Sequence, residues 1–393
     1  MAAKQKPLPF HQPMLGQEEV KEITAVLESG WLTTGPQAGA FEREFGEVVG
    51  TQALALSSGT AALHLGLIVA GVGPGDMVVT TPYTFCSTVH VIEHVGARPL
   101  LIDVEPDTLN IDISAVAAAV EETGGAVKAV IPVHIAGHPC EMDPLLKLAK
   151  AHGLAVVEDA AHAFGAAYRG RPVGRVEPDL AHTAAFSFYV TKNITTGEGG
   201  MLTGTGALLD EARLWSLHGM SRDAWRRYDI GGSWRYEVLR PGFKYNMPDL
   251  LAALGRVQLS RAENMLQRRR EIALAYTAAF ADLPELEVPA ARTDVRHAWH
   301  LYLLRLVLQR LLVTRDEFIA ELQAAGIGTS VHFIPIHHHR YYRDRYDFGN
   351  TAFPVTDAAF ERVLSLPIYP GMTDGDVDRV VTAVHAVVLR HRR

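Results

Sequence analysis

One lysine lies where a predicted strand meets a turn rich in glycine and threonine. The stretch is "FSFYVTKNITTGEGGM", residues 186–201, and it places the Ser187 hydroxyl five residues before the Lys192 amine. This position is not on a helix face that would keep the lysine in solvent, so its amine is a candidate nucleophile for a carbonyl group. The alternative, which residue type alone favours, is a solvated loop lysine.

A carboxylate and an imidazole follow another predicted strand, "LAVVED". Asp159 ends this strand, and His162 lies three residues further on. A carboxylate at a buried strand end loses its hydration and needs a cationic partner or hydrogen bonds. We therefore expect a positively charged group opposite Asp159. The alternative is an aspartate that caps a helix beside a solvated histidine.

Small residues and an aromatic ring follow two further strands. Ser58, Gly59 and Thr60 come after "QALAL" and precede an apolar helix, so they can present free backbone N–H groups to an anion. Phe85 comes after the strand "DMVVTT". Taken singly, the first group is also typical of an ordinary helix cap, and the aromatic ring is also typical of core packing.

Together these residues match what pyridoxal 5'-phosphate (PLP) requires. The helix start and Ser187 would hold its phosphate, Asp159 would face its ring nitrogen, and Lys192 would form a Schiff base with its aldehyde. We expect Phe85 to stack on the ring and His162 to contact the ring or its hydroxyl. Lys192, Asp159 and His162 are then the catalytic residues.

These positions need a scaffold that brings strand ends together. From residue 52 to about residue 206, short apolar strands alternate with helices, which is typical of a parallel sheet buried on both faces. Ligands bind such sheets outside the carboxyl ends of the strands. The predicted fold class is α/β, with a mostly parallel central sheet covered by helices on both faces.

The chain changes character after a predominantly helical stretch at residues 248–283. Beyond it, "HAWHLYLLRLVL" and "DGDVDRVVTAVHAVVLR" predict a smaller α+β unit. We divide the chain into a large α/β domain, residues 1–255, and a small C-terminal α+β domain, residues 256–393. A length of 393 residues suits two packed domains.

Composition excludes several classes of partner. A net charge of −7 offers no basic surface for nucleic acid, and no apolar run is long enough to cross a membrane. Cys86 and Cys140 are too few for a disulfide framework, and the N-terminus lacks the apolar core of a signal peptide. We therefore expect a cytoplasmic enzyme that acts on small molecules.

Three consecutive histidines, His337, His338 and His339, raise the question of a metal site. Neighbouring side chains in a strand or loop point apart, and no cysteine or paired carboxylate completes a ligand set. We therefore predict no metal here and expect the histidines to face solvent or substrate.

Longer stretches follow the pattern of one family. They span nearly the whole chain and include "SSGTAALHL", "VVEDAAHAFGAAYRGRPVG", "FSFYVTKNITTGEGGM", "GFKYNMPDLLAALGRVQL" and "VHFIPIHHHRYY". The sequence resembles the DegT-type nucleotide-sugar aminotransferases. This resemblance implies a fold type I, PLP-dependent homodimer with sites at the subunit interface. It also implies Lys192 as the cofactor-binding lysine, Asp159 at the ring nitrogen, Phe85 as the stacking ring, and phosphate contacts from Ser187 and Gly59-Thr60.

The finer motifs point to a position on the sugar. "KNITTGEGG" resembles enzymes that act at C4, and "GFKYNM" with "HAWHLY" resembles the branch that makes 4-amino-4-deoxy-arabinose on UDP. The expected reaction moves an amino group from glutamate to a UDP-linked 4-keto sugar and yields 2-oxoglutarate. The alternatives are transfer at C3 or sugar dehydration. Dehydratase relatives carry a histidine in place of Lys192, which favours amino transfer here.

Substrate contacts are expected from Thr33, Lys244, Asn246 and His332. A sugar nucleotide's diphosphate needs cationic or polar partners, and Lys244, Arg240 and His332 are the candidates for it. Lys244 stands where many relatives have an asparagine that reaches the neighbouring subunit's cofactor phosphate, and Asn246 replaces an arginine of that motif. The sequence does not identify the keto sugar, the base or the stereochemistry of the new amine.

Two other functional classes fit the sequence less well. A nicotinamide dehydrogenase needs a G-x-G-x-x-G turn after its first strand, whereas "GVGPGD" follows a helix and lacks that spacing. A binding module would hold the cofactor without turnover, and its absorbance would not change on adding glutamate.

Overall fold

The computed structural model describes residues 6–221, 235–290, 292–346, 348 and 352–393. Its α-helices are α1 Gln17–Ser29, α2 Pro36–Val49, α3 Gly59–Val69, α4 Ser87–His94, α5 Ile113–Glu122, α6 Met142–His152, α7 Gly206–Ser216, α8 Asp249–Ser260, α9 Ala262–Phe280, α10 Arg315–Ala324, α11 Arg340–Arg345, α12 Pro354–Arg362 and α13 Asp374–His391. Its strands are β1 Gln52–Leu56, β2 Met77–Thr80, β3 Arg98–Leu101, β4 Val127–Val130, β5 Ala155–Asp159, β6 Ala167–Tyr168, β7 Arg171–Pro172, β8 His182–Ser187, β9 Gly200–Gly204, β10 Leu286–Glu287, β11 Val295–Arg296, β12 Tyr302–Leu306 and β13 Val363–Leu366.

The central sheet has seven strands in the order β1-β9-β8-β5-β4-β2-β3. The pairs from β8 to β3 are parallel, and β9 runs antiparallel to both of its neighbours. Both faces are covered: along β5, Val157 packs into a core shared with α3 and α7, while Val156 packs into a core shared with α5 and α6. The predicted α/β class and mostly parallel sheet are confirmed.

The C-terminal part of the chain forms its own core. A sheet in the order β10-β12-β13 packs with α9, α10 and α13 around a buried apolar cluster. Leu8, near the N-terminus, belongs to this cluster and pairs with Ile327. The predicted division at residues 255/256 falls inside α8 and stays a prediction.

Helix α1 is only partly covered within one chain. Val26 is buried, whereas Val20 and Leu27 of the same helix are more than half exposed. Among the described residues, we find no helix with both the length and the apolar character needed to cross a lipid bilayer.

Close backbone approach gathers the strand ends of the central sheet. Gly200, the first residue of β9, pairs with both Leu56 and Ser187. A Cβ atom at Gly200 would overlap the backbone of Ser58, and one at Gly59 would lie 2.8 Å from Ser187 Cβ. Only glycine allows the start of α3 to lie this close to the ends of β8 and β9.

Candidate active site

A cavity of about 520 Å³ opens at the carboxyl ends of β5 and β8 and at the start of α3. All of the predicted cofactor-binding residues line it, together with His332 from the C-terminal part of the chain. They are Ser58, Gly59, Thr60, Phe85, Asp159, His162, Ser187 and Lys192. Residues that are far apart in sequence therefore meet at one place.

The start of α3 is the candidate cradle for an anion. The N–H groups of Gly59 and Thr60 lie in its first turn, where a helix offers no internal acceptor. Ser58 caps the helix, since its Oγ accepts a hydrogen bond from the Ala61 N–H at 3.0 Å. The capping and phosphate-binding interpretations of this stretch are thus compatible.

Asp159 is a buried carboxylate at the end of β5. Its Oδ2 accepts from Thr88 Oγ1 at 2.7 Å, and its Oδ1 accepts from the Ala161 N–H at 3.2 Å. Burial raises the pKa of Asp159, while these hydrogen bonds and the positive charge of Lys192 act against the rise. Among the described residues, Asp159 forms no salt bridge. It can therefore face a protonated ring nitrogen.

Lys192 extends from the turn after β8, which is held by the Lys192 N–H donating to Tyr189 O at 2.8 Å. Its neighbour Asn193 donates from its side chain to the carbonyl oxygens of Phe164 and Ala298, at 3.3 and 3.0 Å. Burial lowers the pKa of the Lys192 amine to about 8, against the attraction of Asp159. The amine is consequently neutral often enough near pH 7 to attack a carbonyl carbon.

His162 lies in a stack of rings beside the cavity. Phe333 stacks on it at 5.7 Å and 18°, and His300 lies 4.3 Å away. Burial, and then the charge of Lys192, lowers the pKa of His162 well below its ordinary value, so the ring is neutral. Its Nδ1 is buried and has no hydrogen-bond partner in the described chain. Phe85 is 57% exposed at the same cavity, where it can cover a flat ligand.

His332 contributes a polar edge from the C-terminal part of the chain. Its Nδ1 lies 2.8 Å from Ser365 Oγ, and its carbonyl oxygen accepts from Tyr83 OH at 2.6 Å. Burial and the charge of Lys192 lower the pKa of His332 to about 4. A neutral imidazole in this position suits hydrogen bonding to a substrate.

The other predicted substrate contacts lie apart from the cavity wall. Lys244 is exposed and donates to Asn246 Oδ1 at 2.6 Å, and the Asn246 amide donates to Thr34 Oγ1 at 2.7 Å. Thr33 accepts a backbone hydrogen bond from Asp249. The cavity wall does not include Thr33, Lys244 or Asn246, although Asn246 pairs with Leu56 at the end of the strand that leads to Ser58. Their substrate roles stay predictions.

The sequence analysis assigned no role to several residues that the structure brings to the site. Thr88 anchors Asp159, and Phe10, His300 and Phe333 line the cavity. Thr88 lies in "PYTFCST", the same stretch as Phe85, and its position in the first turn after a strand end was a usable signal. Phe10 gave no such signal, because it comes from the extended N-terminal segment.

The residues present fit PLP on chemical grounds. The start of α3 offers donors to a phosphate, and Asp159 is a buried anion without an ion-pair partner in the described chain. The orphaned His162 Nδ1 and the Lys192 amine, which has no side-chain partner in the same described ranges, both face this space.

Comparisons with known proteins agree with this chemistry. The profile of the DegT/DnrJ/EryC1/StrS aminotransferase family matches residues 13–385. The chain belongs to this family. It is 49% identical to the spore coat polysaccharide biosynthesis protein SpsC of Bacillus subtilis over 384 residues, 97% of each chain.

The solved structures that this chain resembles include sugar aminotransferases. Spr1654 from Streptococcus pneumoniae, in its PLP form, is 33% identical with a TM-score of 0.87, and the match covers 98% of this chain and 99% of that one. Helicobacter pylori PseC, an aminotransferase involved in the biosynthesis of pseudoaminic acid, is 27% identical with a TM-score of 0.89, over 98% of this chain and 100% of that one. This family member is a PLP-dependent sugar aminotransferase with the fold of these enzymes.

Proposed function

We propose that this sugar aminotransferase moves the amino group of glutamate to C4 of a nucleotide-linked 4-keto sugar, with UDP as the carrier. The observation that carries the proposal is the convergence of Lys192 and Asp159 with the start of α3 on one cavity. The preference for C4 rests on "KNITTGEGG", whose pattern resembles C4-acting enzymes. The polysaccharide pathway of SpsC and the pseudoaminic acid pathway of PseC support a sugar acceptor.

The residues of the cavity divide the chemical work. When bound, PLP supplies a carbonyl carbon that exchanges the amino group and a ring that withdraws electrons from it. Lys192 takes the proton from the α-carbon of glutamate and, in the return half-reaction, gives a proton to the keto carbon of the sugar. A pKa near 8 allows this amine to accept and release protons close to neutral pH. Asp159 holds the proton at the ring nitrogen.

The site is proposed to be completed in a cytoplasmic homodimer. Lys244 is exposed and donates a hydrogen bond to Asn246, whose amide donates to Thr34. The Thr34 carbonyl in turn accepts from Trp31 Nε1. These hydrogen bonds connect Lys244 to a surface on which Trp31 and Leu32 are exposed. A second copy would cover this apolar surface and bring its Lys244 toward the phosphate cradle of the first.

Light scattering at micromolar concentration tests the dimer. A Lys244→Gln variant that binds PLP as tightly as the unchanged chain would contradict the cross-subunit role.

The free thiols of Cys86 and Cys140 suit the reducing cytoplasm.

The deciding experiment converts the enzyme to its pyridoxamine form and mixes it with UDP-, dTDP- and GDP-linked 4-keto and 3-keto sugars. Return of the lysine-bound cofactor absorbance with a UDP-linked 4-keto sugar supports the proposal. Return with 3-keto sugars alone would show C3 transfer instead. A Lys192→Ala protein in the same panel is the matched control, since it cannot regenerate that absorbance. Replacing glutamate with glutamine or alanine in the first half-reaction tests the donor.

A further inference from the structure

A second cluster of ligating side chains lies outside the active-site cavity. His337 and His338 both direct Nε2 at Asp357 Oδ1, at 2.8 and 2.9 Å. The sequence argument against a metal assumed that neighbouring side chains diverge, but Ile336–His338 is a short 3-10 turn rather than a strand. Its two rings converge, with centroids 4.4 Å apart. The missing carboxylate comes from α12.

We propose that His337, His338 and Asp357 bind a divalent transition metal ion of the zinc type. Two imidazole nitrogens and one carboxylate oxygen are a ligand set that zinc prefers, and the three ligand atoms lie within 4.8 Å of one another. Zinc bonds of about 2.0–2.2 Å in a tetrahedral site place ligand atoms about 3.3 Å apart. The two contacts therefore need to widen by only about half an ångström.

Packing prepares the two rings for this role. His337 lies against Phe353 at 4.8 Å, and its Nδ1 is buried without a partner in the described ranges, so Nε2 is the atom that faces Asp357. His338 lies against Phe360 at 5.5 Å.

The partial exposure of His338 and Asp357 gives an ion access from solvent and leaves one coordination position open. The side chains of His338 and Asp357 are 38% and 43% exposed, whereas His337 is 11% exposed. A water molecule can complete the tetrahedron from the solvent side. The nearby Asp103 carboxylate does not compete, because it accepts hydrogen bonds from Val355 and Thr356 at the start of α12.

A bound ion would join two parts of the fold near the cavity. The 336–338 turn follows Phe333 closely in sequence, and the Ile336 N–H donates to Pro82 O at 2.9 Å, in the loop that carries Phe85. The ion would tie this turn to α12. We therefore assign it a stabilising role rather than a part in amino transfer, and expect zinc to raise the unfolding temperature of the PLP-loaded enzyme.

The test uses tag-free, PLP-loaded full-length protein that is stripped with EDTA and dialysed against buffered zinc. Metal content by mass spectrometry should approach about one zinc ion per chain. His338→Gln and Asp357→Asn should each weaken binding about tenfold or more and remove the thermal shift. His339→Gln is the matched control, because this neighbouring histidine is outside the cluster and should leave binding unchanged.

Circular dichroism confirms that each variant is folded. Zinc binding by the unchanged chain that is no tighter than binding by folded His338→Gln and Asp357→Asn would overturn the proposal.

Discussion

Thr88 Oγ1 donates a hydrogen bond to Asp159 Oδ2 over 2.7 Å, joining the first turn of α4 to the end of β5. Thr84 Oγ1 lies 2.8 Å from the same Thr88 oxygen and can donate to it in turn. One carboxylate oxygen is thus fixed before any ligand binds. The position of this predicted catalytic carboxylate depends on two threonine hydroxyl groups, one in the loop before α4 and one in the first turn of α4.

Asp159→Asn should lower the rate of amino transfer by about three to four powers of ten, as occurs when a residue that fixes a protonation state is neutralised. The amide keeps the shape of the side chain but no longer stabilises a proton on the ring nitrogen. Single-turnover kinetics with glutamate, at saturating cofactor, measures the effect. A rate within a few-fold of the unchanged enzyme would contradict the role given to Asp159.

Thr88→Val should reduce the same rate by about tenfold, since a hydrogen bond to a charged group is worth about 1.5–3 kcal/mol and only part of it is lost in the transition state. PLP should still bind. The pH dependence of the rate should shift as well, because Thr88 lowers the pKa of Asp159. Thr108→Val is the control, since Thr108 bonds to Glu105. If Thr88→Val and Thr108→Val lowered the rate of amino transfer equally, the hydrogen bond from Thr88 to Asp159 would have no special role.

Lys192→Ala should abolish turnover while PLP remains weakly bound. The cradle at the start of α3 and the Asp159 contact survive this change, whereas the covalent attachment and the proton carrier are lost. Borohydride treatment followed by peptide mass spectrometry should label Lys192 in the unchanged chain only. A label on another lysine, or turnover by the variant, would be incompatible with the assignment.

Attachment of PLP to the apo chain should accelerate with pH and level off above about pH 8. Burial lowers the Lys192 pKa to about 8 from 10.5, and the neutral amine is the attacking form. Roughly one-tenth of the amine is then neutral at pH 7, against fewer than about one in a thousand for an ordinary lysine. Stopped-flow absorbance gives the profile. Lys244→Gln should not move the inflection, and an inflection near 10 would contradict the lowered pKa.

Glu158→Gln should lower the free energy of unfolding by about 1–3 kcal/mol. The Nδ1 atoms of His134 and His182 accept backbone hydrogen bonds, from Cys140 at 3.0 Å and Glu177 at 2.9 Å. Both rings therefore donate from Nε2 to the buried Glu158, at 2.8 and 2.6 Å. A glutamine accepts from one ring but presents its NH₂ group to the other, so one buried donor loses its acceptor.

Urea denaturation measures this loss. Glu263→Gln is the control, because its ion pair with Arg296 is solvent-exposed and exposed pairs contribute little. If the two variants lost equal stability, the buried hydrogen bonds of Glu158 would contribute no more to folding than an exposed ion pair does.

Much of the active site was predictable because parallel strands share an edge. The alternation of apolar strands and helices indicated a parallel sheet, and residues just after the strands had to meet where the carboxyl ends meet. Asp159, Ser187 and Lys192 were found in this way, and the structure places them on one cavity. Their residue types then indicated the cofactor.

Contacts between segments that are distant in sequence could not be predicted from the local pattern of residues. The reach of Thr88 to Asp159 depends on the strand order, which places β4 between β2 and β5. The antiparallel direction of β9 and the approach of Phe10 to the cavity depend on how the chain returns across the sheet. Likewise, His337 and His338 meet Asp357 only because the 3-10 turn packs on α12.

The sequence by itself determined the local part: which segments are strands or helices, which of their faces are apolar, and which reactive residues follow the strand ends. Periodicity and turn chemistry act over a few residues, so they can be recognised in a single amino-acid sequence. The tertiary structure alone decided the pairing of hydroxyl, carboxylate and imidazole groups between segments. Those distances follow from strand order and from the packing of helices against the sheets, which no local pattern encodes.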